Sequence, residues 1–110
     1  MDKSRNDMIR GTLDMLILKV LSLQPMHGWG ISERIQAMSR EVLEVNQGAL
    51  YPALHRLRRR GWVTSGWSVT ENNRRARYYE LTAEGRRQLG QEVRHWQRLS
   101  AAVDRIVAAT

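Results

Sequence analysis

Two short stretches of the chain carry side chains whose types and spacing suit one kind of chemistry, the grip on a polyanion. Asn46, Gln47, Gly48, Ala49, Tyr51, Pro52, His55, Arg56 and Arg59 share a segment with Leu50, Ala53, Leu54 and Leu57, and the latter recur at helical spacing. The polar residues fall mainly on the opposite face, with Tyr51 at its border. Asn, Gln, Tyr and His offer donors and acceptors to base edges or phosphates. The arginine fork matches phosphate oxygens or a guanine edge. Gly48 and Ala49 are small, so the start of such a helix can approach its target closely. The second stretch is Asn72, Asn73, Arg74, Arg75 and Arg77. Asn-Asn tolerates left-handed turn geometry. Adjacent arginines at a turn repel unless an anion is near, which suits phosphates or a narrow minor groove.

The distribution of charge points the same way. The 110 residues carry a net charge of +7, which implies polyanionic partners such as nucleic acid or an anionic membrane surface. Residues 1–45 are balanced, residues 46–81 carry +5 and residues 82–110 carry +2. The excess therefore lies on one helix and one turn. It does not form a basic amphipathic helix with a free apolar face, so no membrane partner is expected. The apolar run Leu13–Leu23 is too short to span a bilayer and contains Asp14 and Lys19. Those charges, and the missing small-residue cleavage site, also argue against a signal peptide. A cytoplasmic location is expected.

Other chemistries find little support. There is no cysteine, hence no disulfide, thiolate metal site or cysteine nucleophile. His27, His55 and His95 are far apart in sequence, with neither metal-ligand spacing nor paired carboxylates. No catalytic residue, metal or cofactor is expected.

Period and punctuation give the elements that must position these groups. Leu13, Leu16, Ile17, Val20 and Leu21 predict a first helix over about Thr12–Leu23. Met15 and Leu18 add apolar surface elsewhere on it, so this helix needs more than one neighbour. A second helix is predicted over about Gly30–Ser39. The third ends near Gly61, and Pro52 favours a late start near Gly48–Ala49, because proline fits best in a first turn. The period then changes to two. Val63–Val69 reads as a strand, Thr70–Arg75 as a turn and Arg77–Leu81 as the returning strand. Thr82 is a good N-cap for a last helix over about Ala83–Ala108, with Glu84 facing its dipole. Leu89, Val93, Trp96, Val103 and Val107, with Leu99 beside them, form a short heptad seam, which a second copy of the chain would cover.

The expected fold is mainly α with a two-stranded β wing. It is a winged helix-turn-helix over residues 1–81 followed by a long dimerisation helix over 82–110. In that arrangement the third helix enters the major groove and the hairpin lies on the flanking backbone or minor groove.

Asn46–Leu54, Arg60–Val63 and Asn73–Thr82, with Gly11–Leu18 and Met26–Ile31, resemble in order and spacing the PadR family of transcriptional regulators. The likeness covers about residues 9–107, and the single terminal helix resembles the short subgroup. The resemblance implies a homodimeric repressor on an inverted-repeat operator in double-stranded DNA. Its dimer would form through the C-terminal helix and the partner's first helix. That puts Leu13, Leu18, Leu89, Val93, Trp96, Leu99, Val103 and Val107 at the interface. It also implies release by a small aromatic or hydrophobic effector, for which Trp96 and Trp67 could line a slot; the alternative is that Trp96 simply fills the interface. Trp29 stands where many members have Tyr, and Arg58-Arg59-Arg60 is more basic than the family usually shows. A MarR-like regulator is the nearest alternative, although such chains usually carry a long helix before the DNA-binding core. A non-specific architectural or RNA-binding module is the other.

Overall fold

The computed structural model describes residues 3–110, with side chains from Thr12 onward. The chain runs α1 (Lys3–Leu23), β1 (Met26–His27), α2 (Gly28–Met38), α3 (Gln47–Arg59), β2 (Val63–Val69), β3 (Arg75–Leu81) and α4 (Ala83–Val107). The three strands form one antiparallel sheet in the order β1-β3-β2. The two-stranded wing is thus extended by a short third strand, in which Met26 faces Tyr79 and His27 faces Tyr78. In the wing itself Val63 pairs with Leu81, Trp67 with Arg77 and Val69 with Arg75.

The core gathers around α1. Leu13, Ile17 and Leu18 are at most 1% exposed, as are Ile31, Leu50, Leu54, Leu57 and Val63 from the surrounding elements. Helix α1 touches α2, α3, β3 and α4. Leu13, Met15, Ile17, Leu18, Val20 and Leu21 of α1 are therefore buried within the same chain. This corrects the placement of Leu13 and Leu18 on a subunit interface: both lie inside the protomer's own core. Leu89 does too, and Val93 packs against the same core.

Three helix starts differ from expectation. Helix α1 begins at Lys3 rather than near Thr12. Helix α2 begins at Gly28, because His27 rather than a later residue caps it: the Gly30 N–H donates to His27 Nδ1 at 3.0 Å. Helix α3 begins at Gln47 and contains Pro52 within its length. Asn46 decides that start, since its Oδ1 accepts from the Ala49 N–H at 2.9 Å. Pro52 then leaves the Gly48 carbonyl without its helical donor, on an exposed face where water can replace it.

The returning strand starts at Arg75, two residues earlier than the sequence suggests. A closed tip allows this: the Thr70 N–H donates to the Arg74 carbonyl at 2.7 Å, and the Asn73 N–H to the Thr70 carbonyl at 2.8 Å. Asn73 takes a φ of 62° there, the left-handed conformation that asparagine tolerates.

Helix α4 is fastened at its start and free along most of its length. Thr82 accepts from the Gly85 N–H at 2.9 Å and donates to the Gly61 carbonyl at 2.7 Å. Gly85 lies directly on the Trp62 carbonyl, where a Cβ could not fit. Beyond Val93 the helix leaves the core, and the molecule is elongated, 56 × 33 × 21 Å. No helix among the described residues is long and apolar enough to cross a membrane.

Candidate nucleic-acid interface

Helix α3 turns Leu50, Ala53, Leu54 and Leu57 inward and leaves Asn46, Gln47, Gly48, Ala49, Pro52, His55 and Arg59 exposed. Tyr51 is 43% exposed. Arg58 is exposed as well, and its Nη2 lies 3.2 Å from His55 Nδ1. Asn46 spends its side-chain oxygen on the helix cap, so its amide NH2 is the group left for another partner. The unpaired N–H groups of the first turn add the positive end of the helix dipole.

Arg56 departs from the expected role. Its Nη2 donates to Asp14 Oδ1 at 2.6 Å, and Arg60 Nη1 approaches Asp14 Oδ2 at 3.6 Å. Arg56 therefore ties α3 to α1 rather than pointing freely outward. Arg60 also stacks over the Trp62 ring, 5.1 Å from its centroid.

The wing presents Asn73, Arg74 and Arg75 as exposed residues, with Arg77 half-buried at its root. Arg77 Nη1 donates to Ser65 Oγ at 3.0 Å. Arg75 and Arg77 both lie over Trp67, at 4.9 and 5.0 Å from its ring centroid. Trp67 is thus engaged by two guanidinium groups on the wing. Trp96 stands on a different element, 42% exposed on α4.

Tyr79 joins the two halves. It is 7% exposed, and burial is the main reason its phenol is pushed above its ordinary range. Nearby Tyr51 pushes the same way, and Arg77 and Arg58 oppose. One buried phenol is therefore within electrostatic reach of two residues of α3 and of one on the wing. The exposed face of α3 and the wing both carry unburied arginines, Arg58 and Arg59 on the helix and Arg74 and Arg75 on the wing.

Two contributors escape sequence reasoning. Gly28 lets the Tyr51 ring lie against the start of α2: an added Cβ would sit 2.5 Å from the Tyr51 hydroxyl. His27 meets Tyr78 edge-on at 5.3 Å between ring centres, locking β1 to the wing strand. Glycines flanking Trp29 were the available signal for the first; no local pattern marks the second. The three histidines stand on three separate elements, β1, α3 and α4.

Comparison with known proteins agrees with this geometry. A family profile described as the transcriptional regulator PadR-like family matches residues 17–91. The structure is similar to that of a transcriptional regulator from Clostridium thermocellum, 30% identical, with a TM-score of 0.83 over 92% of this chain and 98% of that one. It is also similar to a PadR family transcriptional regulator from Eggerthella lenta, 27% identical, with a TM-score of 0.78 over 94% and 88% of the two chains. A PadR-like regulator from Bacillus cereus shares the fold at 22% identity, with a TM-score of 0.81 over 94% and 99%. A protein of Lysinibacillus sphaericus described as uncharacterized is 25% identical over 91% of this chain and 92% of its own. With motif order, winged-helix architecture and family profile in agreement, the chain belongs to the PadR-like family of DNA-binding transcriptional regulators.

Proposed function

We propose that the protein is a homodimeric repressor that binds an inverted-repeat operator through α3 and the wing. The observation that carries this reading is that two separate basic elements of a PadR-like fold are exposed, α3 with Arg58 and Arg59 and the wing with Arg74 and Arg75. Gln47, Gly48, Tyr51, Pro52, His55 and Arg59 would face the major groove. Asn73, Arg74, Arg75 and Arg77 would lie on the flanking backbone or minor groove.

The dimer reading rests on α4. Trp96, Leu99, Val103, Ile106 and Val107 are 42–77% exposed on one helix. Exposed apolar residues in such a run favour a covering partner, and a second copy joins two reading heads in the symmetry of an inverted repeat. Residues 82–110 then act as the dimerisation element and residues 1–81 as the reading head. An aromatic effector would sit beside Trp96, at the start of that run.

Selection of bound duplexes from a random-sequence pool tests the reading. Enrichment of an inverted repeat, bound by a species of twice the chain mass in light scattering, is the expected result. Enrichment of no sequence would favour the architectural alternative. Quenching of tryptophan fluorescence that saturates with a planar aromatic ligand, and lowers affinity for the selected duplex, is expected of an effector. Its absence across such ligands would remove that part.

A further inference from the structure

The ring of Trp67 does something that winged-helix geometry alone does not require. It is 58% exposed, near the outer end of a strand, where a polar residue would cost nothing. Two arginines converge on it. Arg77 sits directly across from Trp67 in the ladder and Arg75 diagonally, next to the tip. Both guanidinium carbons lie within about 5 Å of the ring centroid. Among the described residues neither arginine pairs with a carboxylate. Two like charges thus share one neutral ring, and Ser65 Oγ is the further protein group that accepts from either of them.

We propose that Trp67 is a positioning residue for nucleic-acid binding: its indole holds Arg75 and Arg77 in place for phosphate contact. Stacking uses the flat face of a guanidinium and leaves its in-plane N–H groups free to donate. A phosphate oxygen needs those edges, in the forked geometry that makes such pairs strong. Arginine side chains otherwise lose considerable rotamer freedom on binding. The ring removes part of that freedom beforehand. It also gives the two cations a favourable partner while no anion is present. The same engagement leaves Trp67 ill suited to form the wall of an effector slot.

The inference rests on the reading of the wing as a DNA contact, and the test separates the two. Wild-type protein is titrated into the labelled duplex recovered by selection, which checks the reading itself. Trp67→Leu and Trp67→Phe are then compared; because the residue is largely exposed, both should fold normally. Leu keeps apolar bulk without the ring's negative face, and Phe keeps the face. Trp67→Leu is expected to bind about tenfold more weakly, and Trp67→Phe within about threefold of wild type. In an Arg75→Ala/Arg77→Ala background, Trp67→Leu should have no further effect, because Trp67 acts through those two residues. An equal loss in that background, or equal affinities for the Leu and Phe variants, would overturn the proposal while leaving the wing contact intact. Failure of the wild-type protein to bind any selected duplex would instead overturn the reading beneath it.

Discussion

Asp14 on α1 accepts a 2.6 Å charge-assisted hydrogen bond from Arg56 on α3. The pair links the central helix of the core to the helix that presents the basic face. It changes what Arg56 is for: the residue ties α3 to α1, and its neighbours Arg58 and Arg59 remain exposed. Asp14 is 24% and Arg56 41% exposed, so solvent screens the pair and its worth is modest. A double-mutant cycle of Asp14→Ala and Arg56→Ala in chemical denaturation should give a coupling of about 0.5 kcal/mol. Zero coupling would mean that the bridge adds nothing to the stability of the α1–α3 contact.

Two glycines make opposite predictions. At Gly85 an added Cβ meets the Trp62 backbone carbonyl, which the β2–β3 ladder and Thr82 hold in place. Gly85→Ala should therefore cost about 2 kcal/mol of stability. At Gly28 the added Cβ meets the end of the Tyr51 side chain, which is 43% exposed and can swing away. Gly28→Ala should cost less than about 1 kcal/mol, because better helix propensity offsets the crowding. It should nonetheless weaken DNA binding by displacing Tyr51. Equal denaturation midpoints for the two variants would contradict this contrast.

The proposed dimer surface is the distal part of α4, where Trp96, Leu99, Val103, Ile106 and Val107 are exposed. Leu89 belongs to the protomer core and Val93 packs against it, so the informative substitutions lie beyond them. Trp96→Glu with Val103→Glu should leave each protomer folded and give a single chain mass in light scattering. A persistent dimer would place the subunit contact elsewhere.

Acid should weaken the start of α4 in a defined way. Hydrogen bonds from Arg87 first, and from Gln88, hold the Glu84 carboxyl below its ordinary value of 4.5. The folded value is depressed, so the stabilisation is present above the unfolded value and is lost as pH falls through the folded one. The difference in melting temperature between wild type and Glu84→Gln should shrink steadily as pH drops below 4.5. A difference independent of pH would assign the bonds no role.

Much of this arrangement is legible in the sequence because it is local. The leucine stripe of α3, the alternation of β2, the Thr82 cap and the turn at Asn73 each depend on neighbours a few residues away. What is not legible depends on distant partners. Met26-His27 is too short to show a strand period, and it pairs only because β3 passes beside it. Pro52 argues for a late helix start, yet the Asn46 cap outweighs one lost hydrogen bond on an exposed face. Met15 and Leu18 look like surplus apolar surface until four neighbours close around α1. Arg56 and Arg59 look alike on a helical wheel, and Asp14, 42 residues upstream of Arg56, distinguishes them.

In the proposed complex α3 and the wing touch the DNA backbone together. This is tested most directly by the salt dependence of affinity for the selected duplex, in wild type and in Arg59→Ala/Arg74→Ala. These two arginines stand on the two halves, and neither is held in an ion pair with a carboxylate among the described residues. If both reach phosphates, the slope of log affinity against log salt should become shallower by about 2, close to 0.9 for each lost contact. Parallel lines for the two proteins would show that neither residue neutralises a phosphate, and would contradict the two-part interface.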